Sequence, residues 1–245
     1  MEKHTPRFLD CGEAALSVEF GDRVDPAINA RVLALDESLR AAPPRGLRET
    51  TPTYRALLLR YEPLDISRDA LIAAIESVLA LTDVEAKLSH PAVRWTFPCC
   101  YDPAFAEDIE EAAALLGCAA PSLARLHAGA EYRAYMYGFA PGWCYLGGLP
   151  QELAIPRRAS PRGPTPQGGV LIGGALALIA ANPMPTGWYV IGRTPERMFA
   201  RRRDPPFLAA PGDAVSFAPI DAETFLALDA RADAGEIVAC REALQ

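Results

Sequence analysis

The chain has 245 residues, half of them hydrophobic and 22% charged, which is the composition of a globular protein with one large or two smaller domains. Its net charge of −7 opposes binding to nucleic acid. Residues 170–181, the longest apolar stretch, are too few to cross a bilayer, and the polar first seven residues lack the apolar core of a secretory signal, so the sequence predicts a cytoplasmic protein with no membrane partner.

The first hundred residues predict a compact α+β unit. Residues 7–20 alternate apolar and polar side chains around a turn at Gly12, as a strand pair does. Apolar side chains at 28, 32, 35 and 39 predict a one-sided helix over residues 26–41, begun by Asp25-Pro26. The other elements predicted here are strands at 47–51 and 54–61, a helix capped by Ser67, and a strand at 93–99 that closes the pattern. Two β-α-β units in this order predict a ferredoxin-like fold.

The second half has a different character. A helical pair is predicted at residues 105–116 and 121–127. After it, short strand-like segments at 133–137, 168–172, 175–180, 187–191 and 214–217 alternate with proline- and glycine-rich connections. This pattern is typical of a β-barrel or sandwich with long functional loops. The predicted domain boundary lies near residues 89–92.

The residue types exclude several kinds of site. Lys3 and Lys87 are the only lysines, and the sequence contains no G-x-x-x-x-G-K-[ST] loop for a nucleotide, no lysine in the setting of a biotin anchor and no G-x-S-x-G motif. The three histidines (His4, His90 and His127) lack the spacing of metal ligands, so no metal is predicted. The six cysteines show no disulfide pattern and are expected to be reduced, Cys144 being the one with the most suggestive neighbours for chemistry.

Positive charge is concentrated in one segment. Residues 157–203 hold eight arginines and one acid, a net charge of +7, so the rest of the chain carries −14. Within it lie the group Arg157, Arg158 and Arg162 and the strand end at Arg193, while residues 138–150 are rich in glycine and aromatic residues. Taken singly, each is somewhat better explained by a tight turn whose arginines pair with surface acids. Three such segments within 57 residues predict a shared pocket for a carboxylate or phosphate.

These segments, in this order and spacing, resemble the KipI / allophanate hydrolase subunit 1 family, the family of the 5-oxoprolinase B subunit. The resemblance covers essentially the whole chain. The segments that carry it are Leu9 to Gly21, Leu126-His127 through Tyr132, Gly138-Phe139-Ala140-Pro141-Gly142, Tyr145 to Leu149, Pro156-Arg157-Arg158, Pro161-Arg162, Ile191 to Thr194 and Gly212-Asp213.

The resemblance implies an α+β chain with a ferredoxin-like domain over residues 1–90 and a cyclophilin-like β-barrel domain over residues 91–245, with the helical insert at 105–127. It implies one component, inactive alone, of a hydrolase that uses ATP to open 5-oxoproline to glutamate, in a tight complex with the C subunit of that enzyme and together with its A subunit. ATP is used by the assembled complex, and the small-molecule substrate binds there.

The same resemblance and the charge pattern give one set of candidate residues. Arginines would hold the anionic group, aromatic side chains would wall the pocket, and the glycine loop would donate amides. The predicted substrate- and anion-binding residues are Gly138, Phe139, Pro141, Gly142, Tyr145, Gly147, Gly148, Arg157, Arg162, Trp188, Arg193 and Thr194. The catalytic residue is unknown, and His127 is a candidate for proton transfer, with a structural histidine as the alternative.

The chain also departs from the family pattern. The usual Thr-Gly-Ile-Tyr-Pro reads Ala177-Leu178-Ile179-Ala180-Ala181, and Trp143 stands where phenylalanine is commoner. If the replaced polar residues face the pocket, this pocket is more apolar and accepts a different lactam or amide. Two other functions stay open: a binding protein that inhibits a sensor histidine kinase, as KipI does, and prolyl isomerisation by the barrel.

Overall fold

The computed structural model describes residues 5–81 and 93–244. The chain divides into two compact units, Met1–His90 and Pro91–Gln245. The predicted boundary at 89–92 lies outside the described residues.

The N-terminal unit contains one antiparallel sheet and two helices in its described part. Its elements are β1 (Arg7–Asp10), β2 (Ala15–Glu19), α1 (Pro26–Ala41), β3 (Leu47–Pro52), β4 (Ala56–Tyr61) and α2 (Arg68–Leu81). The strands pair in the order β1-β2-β4-β3.

Helix α1 has the predicted bounds. Residues close to each end in sequence determine where it begins and ends. The Asp25 carboxylate accepts hydrogen bonds from the N–H groups of Ala27 and Ile28, which satisfies two orphan donors of the first turn. Pro43 and Pro44 follow the last turn and cannot extend it. The buried face of the helix packs on the sheet, with Leu16, Val18, Leu57 and Leu59 fully buried beneath it.

One predicted strand belongs elsewhere. The sequence pattern places strand β5 (Val93–Cys100) at the end of the N-terminal β-α-β arrangement, but it pairs with strands of the C-terminal unit. The free edge of β2 is instead covered by β1, which the turn at residues 11–14 folds back in register. The ferredoxin-like assignment therefore stays a prediction.

The C-terminal unit is built around a closed barrel, which confirms the predicted β-barrel. Besides β5, the described strands of this unit are β6 (Tyr132–Tyr137), β7 (Cys144–Gly147), β8 (Arg162–Pro164), β9 (Gly169–Gly173), β10 (Leu176–Ile179), β11 (Pro185–Thr186), β12 (Tyr189–Arg193), β13 (Ala214–Ile220) and β14 (Cys240–Ala243). Seven of the described strands follow one another in the order β12-β9-β10-β7-β6-β13-β5, and a further pairing between Arg193 and Cys100 joins β12 to β5 and closes the ring. The cyclophilin-like comparison stays a prediction.

Helices α3 (Ile109–Leu116) and α4 (Ala120–Ala128) form the predicted helical pair, and α5 (Ala222–Asp233) follows the barrel. None of the helices in the described ranges is long and apolar enough to cross a membrane. Strand β7 is absent from the sequence-based prediction, because its glycine-rich end resembles a loop.

Alternation along the strands separates two buried clusters. Side chains from all seven barrel strands, among them Phe97, Ile172 and Phe217, fill the interior. Residues of the opposite face of β9, β10 and β12 form a smaller outer cluster with Trp143 and Trp188. The predicted aromatic pocket residues therefore lie on the outside of the barrel.

Candidate functional site

The glycine-rich segment 138–143 is the hairpin loop that joins β6 to β7. The Ala140 N–H donates to the Gly138 carbonyl at 2.8 Å across Phe139, whose φ is 68°, which is the strained form of a γ-turn. A β-turn follows at once, because the Trp143 N–H donates to the Ala140 carbonyl at 3.1 Å and Gly142 takes a φ of 83°. Proline before such a glycine is the signature of a type II turn.

This loop packs against the protein at Gly142 and is exposed to solvent at Phe139. A β-carbon added at Gly142 would lie 2.4 Å from Cβ of Phe199 and 2.6 Å from Cβ of Ala181, so only glycine fits. The Phe139 side chain is 63% exposed and rests on Trp143, with ring centroids 5.0 Å apart. Phe199 is not among the predicted site residues, since no local pattern connects it to the loop.

Three predicted or neighbouring aromatics share the outer face. The rings of Tyr145, on β7, and Trp188, in the bend just before β12, meet edge to face at 5.8 Å. The Trp143 Nε1–H donates to Oδ1 of Asn182 at 2.9 Å, which anchors the indole. The structure thus brings Tyr145, Trp188 and the 138–143 loop together.

Arg157 stands beside this cluster. A β-carbon added at Gly187 would be 3.7 Å from Nε of Arg157, so the guanidinium lies against the backbone before Trp188. Burial raises the pKa of Tyr145, and the positive charge of Arg157 acts in the opposite direction. Arg157 is exposed, and among residues 5–81 and 93–244 no carboxylate lies within ion-pair distance of it. It is therefore able to pair with an anion from solution.

The predicted arginines Arg158, Arg162 and Arg193 are each paired with acidic side chains. Arg158 forms two hydrogen bonds to Glu111, at 2.7 and 2.6 Å, and stacks on the Tyr189 ring at 4.2 Å. Arg162 and Arg193 both contact Glu107, the latter at 3.5 Å. For these three arginines the structure shows the pairing with surface acids that was the alternative interpretation, and an anionic ligand would have to compete with Glu107.

The remaining predicted residues have packing positions. The missing side chain of Gly147 leaves room for the Tyr135 ring, and that of Gly148 for the carbonyl of Glu131. Thr194 is 1% exposed, and its hydroxyl accepts the N–H of Glu196. These contacts position the barrel strands; binding roles for these residues stay predictions.

His127 and Cys144 are buried away from solvent. His127 is fully buried, its Nδ1 lies 2.8 Å from the Tyr101 hydroxyl, and burial lowers its pKa to about 3. Burial also raises the pKa of the Cys144 thiol to about 12. A neutral imidazole and a protonated thiol without access to substrate are poorly suited to catalysis, so these surroundings argue against either role.

The departures from the family pattern lie in the two cores. Ala177 belongs to the barrel interior, whereas Leu178 and Ala180 belong to the outer cluster with Trp143, and all are fully buried. Ala181 packs partly buried beside the loop glycine. These side chains contact other side chains rather than an open pocket. They would therefore alter the predicted pocket only through the residues that they pack against.

Other parts of the surface offer no stronger centre. A groove of about 540 Å³ is lined by Ser122, Arg125, Leu126, Gly129, Ala130 and Pro150, none of which belongs to the predicted site. In the part of the chain that the structure describes, no group of three or more histidine, cysteine or acidic side chains could hold a metal ion.

Comparison with known proteins gives a consistent result. The model of the family described as carboxyltransferase domain, subdomain C and D, matches residues 6–209. The 5-oxoprolinase B subunit of Bacillus subtilis (strain 168) is 31% identical over 224 residues, which are 87% of this chain and 92% of that protein.

Solved structures resemble the fold as well. The crystal structure of TTHA0988 has a TM-score of 0.75 and 32% identity over 85% of this chain, which spans about 40% of that longer protein. The Kluyveromyces lactis urea carboxylase has a TM-score of 0.79 over the whole chain and 25% of its own, at 17% identity, a likeness that concerns the fold alone. The chain therefore belongs to the carboxyltransferase-domain family of subdomains C and D, the family of the 5-oxoprolinase B subunit.

Proposed function

We propose that this chain is the B subunit of an ATP-dependent 5-oxoprolinase, which opens the lactam ring of 5-oxoproline to give glutamate. The observation that carries the proposal is the likeness to the B subunit of the Bacillus subtilis enzyme, which extends over 92% of that protein. A likeness of nearly full length supports a shared role in an assembly better than a single shared domain would.

The proposed partners are the C subunit, in a tight complex, and the A subunit. This chain is proposed to be inactive alone, because its sequence contains no G-x-x-x-x-G-K-[ST] loop and its outer site holds no described nucleophile with an adjacent base. ATP is used by the complex as a whole.

Arg157 is the residue we propose for the anionic group. The substrate carries a carboxylate, and phosphorylation of its lactam oxygen by ATP would add a phosphate group; the planar guanidinium can donate two hydrogen bonds to either. Tyr145 and Trp188 would lie along the ring of the lactam beside it. The ion pairs that Arg158 and Arg162 make with Asp108 fix the chain immediately after Arg157.

Reconstitution tests the proposal. This chain and its purified cognate A and C subunits would be mixed, each would be omitted in turn, and ATP hydrolysis would be measured with and without 5-oxoproline. Stimulation by 5-oxoproline that needs all three proteins is the expected result. Full stimulation without this chain would overturn the proposal, whereas stimulation by another lactam alone would keep the role in the complex and change the substrate.

A further inference from the structure

The two exposed phenylalanines among the described residues lie on adjoining loops of the C-terminal unit. Phe139 is 63% exposed at the tip of the 138–143 hairpin loop, and Phe207 is 37% exposed on the segment 199–207. The loops touch, because Phe199 packs on Gly142 and its ring meets that of Phe207 at 5.1 Å. Isolated exposed apolar side chains are ordinary, but two aromatic rings on one surface are typical of interfaces.

Both loops are held rigid. The guanidinium of Arg203 donates to the carbonyls of Met198 and Pro206, at 3.2 and 3.1 Å, which fastens the segment 199–207. Phe139 is held at a φ of 68°, in the left-handed region where a bulky side chain is strained. Since the ring is mostly exposed, its packing within the chain does not account for this conformation.

The same surface carries unpaired positive charge. Arg201 and Arg202 are exposed at the turn of the segment 199–207, and within the described ranges neither makes an ion pair with a carboxylate. The rest of the chain is strongly acidic, with a net charge of −14 outside residues 157–203. An acidic partner is therefore attracted to Arg201 and Arg202 and repelled by the acidic remainder of the chain. This difference orients its approach.

We infer that Phe139, Phe207, Arg201 and Arg202, together the Phe139/Phe207 face, dock an acidic surface of another protein of the same assembly. The two rings would enter apolar recesses on that protein, and the arginines would pair with carboxylates at the rim. Aromatic side chains and arginine are the residue types that carry most of the binding energy at such interfaces. The inference rests on the proposed function, because that function supplies the partner proteins.

Binding measurements on the 245-residue chain test this inference. The dissociation constants for the cognate C and A subunits would be measured for the wild type, for Phe139→Ala and for the double variant Arg201→Glu/Arg202→Glu. Both changes are expected to weaken binding to one of these partners by about tenfold or more. Raising the ionic strength should weaken partner binding by the wild type and should not weaken partner binding by the charge-reversed variant.

Matched controls lie on helix α4. Arg125 is exposed and contacts Ser122 rather than an acid, and Leu126 is 41% exposed, so Arg125→Glu and Leu126→Ala make similar changes away from this face. They are expected to change the dissociation constants by less than about twofold. Phe139→Gly removes the ring and also the backbone strain at this position. If this variant loses binding while its melting temperature is unchanged, misfolding is excluded as the cause.

The outcomes separate this inference from the proposed function. An active complex in which the face variants bind as tightly as the wild type overturns the inference and leaves the function standing. A wild-type chain that self-associates through this face, and is dispersed by the same variants, also overturns it, because the occupant is then a second copy. A wild-type chain that binds neither partner overturns both.

Discussion

Asp108 and Arg162 are 54 positions apart in sequence, and Nη1 of Arg162 lies 2.5 Å from Oδ2 of Asp108. The same oxygen accepts the backbone N–H of Val190 at 2.8 Å. A single carboxylate therefore fastens the start of α3 to strand β12 and to the segment that carries Arg157.

Removing this carboxylate should destabilise the fold. In Asp108→Asn, the partly buried Arg158 and Arg162 each lose an ion pair. We expect the free energy of unfolding to fall by about 1–3 kcal/mol. Denaturant unfolding measures it. Glu110→Gln, an exposed change on the same helix, is the control and should alter stability by less than about 0.5 kcal/mol. Equal stabilities for the two variants would contradict the role of Asp108.

Gly142 is predicted to tolerate no side chain. Gly142→Ala combines a φ of 83° with contacts of 2.4 and 2.6 Å to the β-carbons of Phe199 and Ala181, and we expect a loss of roughly 1–3 kcal/mol. Thermal and denaturant unfolding give the value. Gly163→Ala is the matched change, because nothing lies within 4 Å of the added carbon there. If both variants are as stable as the wild type, the loop is not clamped as described.

The buried histidine should make stability depend on pH. Burial lowers the folded-state pKa of His127 to about 3, whereas the unfolded chain takes up a proton near the ordinary value of 6.5. Protons therefore favour the unfolded state, and stability is lost as pH falls from about 6.5 toward 3. From pH 7.5 to 5 we expect this residue to remove about 2 kcal/mol.

The comparison is with His127→Gln, whose stability should fall less over the same range. An NMR titration of the wild type provides a second measurement that does not need a folded variant. The His127 imidazole signals should remain those of the neutral ring down to pH 5. A titration midpoint near 6.5 would show that the ring is accessible to solvent and would restore a proton-transfer role.

Substitution of Arg157 should affect activity without affecting stability. Because it is exposed and lacks an acidic partner in the described chain, Arg157→Ala should change stability by less than about 0.5 kcal/mol. In the reconstituted complex it should lower kcat/KM for 5-oxoproline about 10²-fold, since a charge-assisted pair to the anionic group is lost. Arg125→Ala serves as the control for arginine loss. Unchanged kcat/KM would remove Arg157 from the site.

Local elements are predictable where local chemistry determines them. The predicted ends of helix α1 are correct because Asp25, Pro26 and Pro43 fix them within a few residues of sequence. Strand β7 escapes prediction, since Gly147 and Gly148 resemble a loop, and their need for glycine comes from Tyr135 and a carbonyl elsewhere in the chain.

Long-range pairing cannot be predicted in the same way. The alternation in residues 93–99 indicates a strand but not its neighbour, which is why the sequence pattern assigns β5 to the wrong sheet. The arginine-rich segment is correctly identified as unusual, but the acids that engage Arg158, Arg162 and Arg193 lie about 50 to 90 residues earlier. The acidic residues at 107, 108, 110 and 111 are the available signal for that pairing.

The central claim is tested most directly by measuring glutamate released from labelled 5-oxoproline by the cognate A and C subunits, with and without this chain. We predict glutamate formation, coupled to ATP hydrolysis, only when the chain is present. The same rate of glutamate release in its absence, or no release when all three proteins form a complex, would contradict the assignment as the B subunit of a 5-oxoprolinase.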